Sequence, residues 1–313
     1  MTEVEDHEAR RFPVESDAVT THSGKRVSLV LGSGGARGLA HIGAIRELEA
    51  AGFQIASISG CSIGAVIGGV YAAGKLDEFE SWVRAISRMD MVSLLDMSWS
   101  SDGLVKGDKI IETLVELVGD RKIEDLPIPY TAIAADIKNE REVWLRSGRL
   151  FDAIRASISL PLFFTPVPYK GYHLIDGGVL NPVPIAPTFN DDTDITIAIN
   201  LGGPTGDILI DADEEKTDDV SKSMGKRIAQ YLSDLRSSKN SGKSDRVGAY
   251  DIADQAFDAM QGTIARHKLA AYPPDVVIEI SRNACGTFDF DRAAQIIDLG
   301  RRKTQHALSL HLS

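Results

Sequence analysis

The sequence predicts an α/β protein whose mainly parallel central sheet is covered by helices. The first observation is an apolar strand pattern at residues 26–32 that runs into a glycine-rich loop and then a helix at 39–50. The second is the same order of elements at 55–73, where an apolar strand turns sharply into a helix of small residues. Strands that alternate with helices form parallel sheets, and such sheets bind ligands at the carboxyl ends of their strands.

The remaining elements continue this alternation. Strands are predicted at residues 130–136, 142–145, 194–201 and 275–280, a hairpin at 163–168 and 172–175, and helices at 76–87, 108–118, 150–157, 220–235, 250–269 and from residue 289 onward. Asp108 is the expected N-cap of its helix and Gly119 the end of it, whereas residues 89–106 have no regular pattern.

Composition restricts the classes of function. The 313 residues carry a net charge of −11, which argues against nucleic acid as a partner. The longest mostly apolar run, residues 63–74, is shorter than the ~20 residues that span a bilayer. Cys61 and Cys285 are the only cysteines and make no disulfide framework, so we expect a reducing compartment and place the protein in the cytoplasm.

The predicted organisation is one large domain with a tail and an excursion. Residues 1–25 are polar, without the apolar core of a secretory signal, and are predicted to be a loose tail. Residues 26–313 form the domain, and within it residues 202–270 are a polar and helical excursion that contains an acidic cluster. A solvated insertion and a functional lid both fit this composition, and we favour the insertion.

Ser62 is the candidate nucleophile. It lies in the run Gly60-Cys61-Ser62-Ile63-Gly64, between the strand at 55–59 and the helix at 63–73. Glycines on both sides suit a sharp turn that presents a serine hydroxyl at the carboxyl end of the sheet, next to the positive end of a helix. A glycine-rich turn with an incidental serine is the alternative. We interpret Cys61 as a small packing residue, because nothing nearby would activate its thiol.

The glycine-rich loop at residues 33–38 is the candidate oxyanion site. Glycines let backbone amides approach a substrate oxygen, and Gly34, Gly35, Ala36 and Arg37 open a helix. A nucleotide-phosphate loop is the alternative. The dinucleotide pattern fails here because Arg37 occupies its last glycine position, and the Gly-Lys-Ser/Thr of a P-loop is absent. We therefore favour the oxyanion loop.

The sequence identifies the general base less directly than the nucleophile. Serine hydrolases usually place a histidine after the last strand, but residues 281–286 contain none. Packing, capping or a hairpin face explains His41 and His173 better, and His267 and His306 lie away from that loop. Asp176 remains, presented by Gly177 and Gly178, although an Asp-Gly-Gly turn is most often only an Asx-type turn.

Three runs in this order and spacing resemble the signatures of the patatin-like phospholipase family: residues 33–38, 60–64 and 176–178. The runs 38–43 and 154–161 resemble its bacterial members, which are similar to the catalytic domain of neuropathy target esterase. The resemblance is close over residues 26–201. It implies a three-layer α/β/α sandwich and hydrolysis of fatty acyl esters by a Ser-Asp dyad without metal or cofactor.

Carried over residue by residue, the resemblance makes Ser62 the nucleophile and Asp176 the base. It assigns Gly34, Gly35, Ala36 and Arg37 to the oxyanion loop, and Gly60 and Gly64 to the nucleophile elbow. Ser33 is a departure, since the family often has glycine there, but it lies at the start of the loop and puts little in doubt.

The leading hypothesis is a serine esterase of the phospholipase A or lysophospholipase type. Its expected partner is a phospholipid or lysophospholipid, and peripheral contact with a membrane and a homo-oligomer both stay open. A thioesterase or acyltransferase could use the same acyl-serine. In a lipid-binding module with an idle dyad, Ser62, Asp176 and the glycine loop would not all be required, which weighs against that alternative.

Overall fold

The computed structural model describes residues 24–94, 105–206 and 249–311. The strands of these ranges are β1 (Arg26–Leu31), β2 (Gln54–Cys61), β3 (Tyr130–Asp136), β4 (Arg141–Leu145), β5 (Val167–Tyr169), β6 (Tyr172–Asp176), β7 (Ile195–Gly203) and β8 (Val276–Ser281). The helices are α1 (Ala40–Ala50), α2 (Ile63–Ala72), α3 (Leu76–Ala85), α4 (Arg88–Leu94), α5 (Asp108–Val118), α6 (Leu150–Ser157), α7 (Ala249–Ala271) and α8 (Ala293–His311).

The strands form a single mixed sheet that is mostly parallel. Its order is β5-β6-β3-β2-β1-β7-β8, with β4 paired to β3 outside that path. The five strands from β3 to β8 in this order pair in parallel, whereas β4, β5 and β6 join by antiparallel pairs. The predicted α/β class with a mainly parallel sheet is confirmed.

Both faces of the sheet are covered, as the alternation along β1 demonstrates. Val27, Leu29 and Leu31 belong to the large core, which also contains the buried residues of α1, α2 and α8. Val30 points to the opposite face, where it joins a smaller cluster with Ala265 of α7. A strand buried on both faces has no polar alternation, and this explains the continuous apolar run in the sequence. The layers are helix, sheet and helix.

Several predicted elements have different boundaries or types in the structure. Residues 88–94, which lack a clear pattern, form the helix α4. Asp108 is not an N-cap: Gly107 takes that position with a left-handed φ of +73°, and Asp108 is the first residue of α5. The first hairpin strand begins at Val167 and not at residue 163, because Phe163 and Phe164 pack against Phe288 instead of joining the sheet.

Some predictions fall outside the described residues. They are the tail up to residue 23, the helix at 220–235 and the acidic cluster of the excursion. The excursion's second helix is described as α7. Within the described ranges, no helix combines the length and the apolar character that a membrane crossing requires.

Candidate active site

Ser62 lies at a strained elbow between β2 and α2. Its φ of +55° is in the left-handed region, which a residue with a side chain rarely adopts. The elbow needs both flanking glycines: a Cβ on Gly60 would collide with the Gly64 carbonyl, and one on Gly64 with the Leu31 carbonyl. The Ser62 amide donates to Ser157 Oγ at 2.9 Å, which fixes the turn.

Pairing with β3 brings Asp176 to this elbow. Cys61 pairs with Ile133 of β3, and Asp176 at the end of β6 pairs with the next residue, Ala134. The two strand ends therefore meet, and Ser62 Oγ lies 2.6 Å from Asp176 Oδ2. The other carboxylate oxygen, Oδ1, accepts the Gly178 amide at 2.7 Å. The structure thus joins by a short hydrogen bond the two side chains that the sequence places 114 positions apart.

Burial makes the Asp176 carboxyl unusually basic. The side chain is removed from water, which raises its pKa from the ordinary 3.8 to about 6, although hydrogen bonds from Ser62 and Gly178 act in the opposite direction. A carboxylate with this pKa is ionised at neutral pH and accepts a proton more readily than an exposed aspartate does. The geometry and the electrostatics both suit a general base.

The glycine loop faces the same elbow. Its residues Gly35–Leu39 form a 3-10 helix that leads into α1. The Ala36 amide is bound to the Thr287 carbonyl at 2.9 Å, whereas the amides of Gly34 and Gly35 donate to no group in the described part of the chain. A Cβ on Gly35 would lie 2.5 Å from the Thr287 carbonyl oxygen. Gly34 and Gly35 are thus the loop residues whose amides are available to an anion.

Arg37 turns its side chain toward the protein and not toward solvent. Only 4% of that side chain is exposed. Its guanidinium donates to the carbonyl of Gly34 at 3.0 Å, to the carbonyl of Arg282 at 2.8 Å and to the Asp258 carboxylate at 2.9 Å. Of the four predicted loop residues, Arg37 therefore contributes mainly by bracing the loop.

An apolar cavity opens from Ser62 and the glycine loop. It measures about 1080 Å³ including its open mouth. Its polar end consists of Ser33, Gly34, Gly35, Ser62 and Asp176, and its apolar walls include Leu39, Val66, Phe79, Trp82, Val83, Ile86, Leu114, Ile158, Phe257 and Phe288. Apolar walls with a few convergent polar groups are typical of a small-molecule site, and here they suit an acyl chain.

Among the described residues, no histidine or cysteine lines this cavity, although the Cys61 thiol donates to Asp176 Oδ1 at 4.0 Å. His41 is fully buried, bonds the Gly32 carbonyl through Nε2 at 2.9 Å, and has its pKa lowered by burial to about 4. His173, His267 and His306 are exposed. Burial raises the pKa of the Cys61 thiol well above its ordinary value, which agrees with a packing role. Among the described residues, no group of three or more His, Cys, Asp or Glu could hold a metal ion.

Several residues of this site carry no local signal in the sequence. Ser157 links the elbow to β3: its hydroxyl oxygen accepts from the Ser62 amide, and its hydroxyl donates to the Ile133 carbonyl at 2.6 Å. Asp258 and Gln261 arrive from α7, and Phe288 follows β8. Ser157 stands in the run at 154–161 on which the family resemblance rests, and that is the only sequence signal for any of them.

Comparisons with known proteins find a matching family and several similar proteins. Residues 29–189 match the family described as patatin-like phospholipase. An NTE family protein of Mycobacterium tuberculosis is 36% identical over 91% of this chain and 92% of its own length. The lysophospholipase nte1 of Emericella nidulans is 33% identical over 57% of this chain and 12% of its own length.

One further relative and one solved structure align less completely or at lower identity. The neuropathy target esterase sws of Drosophila melanogaster is 32% identical over 58% of this chain, which corresponds to 13% of that longer protein. The solved structure of VipD from Legionella pneumophila aligns with 92% of this chain and 67% of its own, with a TM-score of 0.43 and 14% identity.

Proposed function

Because this chain belongs to the patatin-like phospholipase family, we propose that it is a lipid acyl hydrolase with Ser62 as nucleophile and Asp176 as general base. The observation that carries the proposal is the 2.6 Å hydrogen bond between Ser62 Oγ and Asp176 Oδ2 at the polar end of an apolar cavity. A nucleophile in hydrogen-bond contact with a base is the arrangement that covalent acyl transfer requires.

The proposed reaction has two halves. Ser62 Oγ attacks the ester carbonyl carbon while its proton passes to Asp176, and the carbonyl oxygen becomes an oxyanion that the amides of Gly34 and Gly35 stabilise. The tetrahedral intermediate then expels the alcohol, which takes the proton from Asp176, and an acyl-serine remains. Water attacks that ester next and gives its proton to Asp176; the second tetrahedral intermediate then collapses, Asp176 returns the proton to Ser62 Oγ, and the fatty acid leaves.

The cavity and the named relatives support a proposed substrate class. The walls are apolar for most of their extent and would bury a fatty acyl chain, while the head group would stay at the open mouth. Two relatives carry the names lysophospholipase and neuropathy target esterase. We therefore propose a phospholipid or lysophospholipid as substrate. The cytoplasm remains the proposed location, since Cys61 and Cys285 are both unpaired.

A fluorophosphonate should label this protein at Ser62. The reagent phosphonylates only a serine that is activated and served by an oxyanion site, so an idle binding module would not react. Mapping of the modified peptide by mass spectrometry identifies the residue, and Ser62→Ala is the control that should abolish labelling. A folded wild-type protein that stays unlabelled would contradict the proposed function.

The pH dependence of kcat/KM should have an acid limb near pH 6. Asp176 must be ionised to accept the Ser62 proton, and its raised pKa of about 6 means that activity falls as the pH drops through that value. A pH profile with a short-chain soluble ester measures this limb. Since imidazoles also titrate near this pH, the profile is repeated with His173→Gln, His267→Gln and His306→Gln. A limb that disappears in any one of them would contradict the assignment to Asp176.

A further inference from the structure

The Arg37 guanidinium is a buried cation inside the candidate active site. It contacts two backbone carbonyls, those of Gly34 and Arg282, and one carboxylate, that of Asp258 on α7. Among the described residues, Asp258 is the only acidic partner recorded for it. Since Arg37 is almost fully withdrawn from water, its charge depends on Asp258 for compensation.

The bond from Arg37 to the Gly34 carbonyl sets the direction of one candidate oxyanion donor. The carbonyl of Gly34 and the amide of Gly35 belong to the same planar trans peptide, so they point in opposite directions. When Arg37 Nε holds that carbonyl at 3.0 Å, the Gly35 N–H is aimed to the other side of the peptide. A guanidinium that rotated away from Asp258 would release this constraint.

Helix α7 contacts the glycine loop at a second point on the same face. Gln261 lies three residues after Asp258, within one helical turn of it. Its Nε2 donates to Ser33 Oγ at 3.2 Å, and it also packs against Gly178, whose amide binds Asp176. Phe257, Asp258 and Gln261 all line the cavity. One face of α7 therefore contacts both the loop and the turn that carries Asp176.

We propose that Asp258 is a positioning residue for the reaction: its carboxylate orients Arg37, and Arg37 orients the peptide whose Gly35 amide receives the oxyanion. The inference rests on the acyl-hydrolase function proposed above. It assigns a role in that chemistry to α7, the second helix of the excursion, which lies outside the residues that match the family.

The test compares Asp258→Asn, which keeps the shape and loses the charge, with Asp258→Glu, which keeps the charge and lengthens the side chain. With a soluble p-nitrophenyl ester, Asp258→Asn should lower kcat by about 10- to 100-fold with KM nearly unchanged, as expected for a misplaced group that acts only in the transition state. Asp258→Glu should retain more of kcat than Asp258→Asn does. A role in packing alone would give the reverse order.

A trifluoromethyl ketone with a short alkyl chain provides the second readout. It forms a bond to Ser62 Oγ, the serine proton passes to Asp176, and the ketone oxygen becomes an oxyanion, so its affinity reports the oxyanion site. Its inhibition constant should rise in Asp258→Asn by a factor similar to the loss in kcat/KM. The exposed Asp298, which pairs with Arg302 on α8, supplies a matched control, and Asp298→Asn should change neither quantity.

The outcomes distinguish failure of the positioning role of Asp258 from failure of the proposed hydrolase function. Wild-type protein that neither turns over the ester nor binds the ketone removes both. An active wild type with a folded, fully active Asp258→Asn overturns the positioning role alone. A loss confined to KM or to the melting temperature also overturns it, and so does an Asp258→Glu variant that is folded but weaker than Asp258→Asn.

Discussion

Ser62→Ala and Asp176→Asn should each remove nearly all turnover, and the double variant should be little worse than either single one. A general base contributes about 10²- to 10⁴-fold, and residues that act as one unit are not additive when removed together. Steady-state rates on a soluble ester measure the effect. Asparagine is the better probe of the base, because it keeps an oxygen for the Gly178 amide while it loses the proton acceptor.

Stability measurements test whether these losses are chemical or due to unfolding. The folded pKa of about 6 exceeds the ordinary 3.8, so an ionised Asp176 lowers the free energy of unfolding by roughly 3 kcal/mol at about pH 8. Asp176→Asn should therefore melt at a higher temperature than the wild type at that pH. The gain should shrink as the pH falls from about 6 to about 4, since the wild-type carboxyl is then protonated in the fold.

The dyad assignment would be wrong if Asp176→Asn stayed active while one histidine variant lost its turnover in a folded state. His41 requires particular care in that comparison, because it is buried against the Gly32 carbonyl and its loss would disturb the core. His173, His267 and His306 are exposed and provide the cleaner controls.

Gly35→Ala should reduce kcat by about 10²- to 10³-fold, the typical cost of losing one oxyanion donor. Gly35 has a left-handed φ of +59°, and an added Cβ would lie 2.5 Å from the Thr287 carbonyl oxygen, so the loop has to move. That movement disturbs the Gly35 amide itself. Steady-state kinetics with the soluble ester would detect it as a loss of kcat with little change in KM.

Gly74→Ala is the matched control for this substitution. Gly74 has a similar φ of +70°, but no atom lies within 4 Å of an added Cβ. It therefore carries the cost of the left-handed backbone, about 1 kcal/mol, without a collision and away from the cavity. If both variants lose activity equally, backbone strain and not the placement of the oxyanion loop explains the loss.

The sequence predicts the central elements well because their signal is local. β1 from Val27 to Leu31 and β3 along its whole length are buried and mostly apolar, since both faces of the sheet are covered, and α6 ends at Ser157, shortly before Pro161. The sequence does not predict the short helix α4. Met89 is exposed and Met91 is buried, and this pattern is too brief to show a helical period. Gly107 precedes Asp108 as the cap because only its backbone adopts the left-handed conformation easily.

The residues of the candidate site fall into two groups: those that stand in a sequence motif and those that only the fold brings to the site. Ser62, Asp176 and the glycine loop stand in short runs that the sequence singles out as candidates, and the structure brings them together, while their catalytic roles stay predictions. Asp258 and Gln261 contribute through contacts with Arg37 and Ser33 more than 220 positions away. An isolated aspartate or glutamine on an amphipathic helix carries no pattern, and only the folding of α7 onto the loop reveals its place.

The pairing of β3 with both β2 and β6 sets the distance between Ser62 and Asp176, the two residues of the proposed dyad. Cys61 and Asp176 are matched to the adjacent residues Ile133 and Ala134, so the separation between Ser62 and Asp176 depends on a single peptide step. Extra residues in the turns at 137–140 and 170–171 would leave that step intact. One residue inserted between Ile133 and Ala134 would slide the acid away from the hydroxyl and turn its side chain to the other face of the sheet. Related chains should therefore vary in length at those turns and never within this strand.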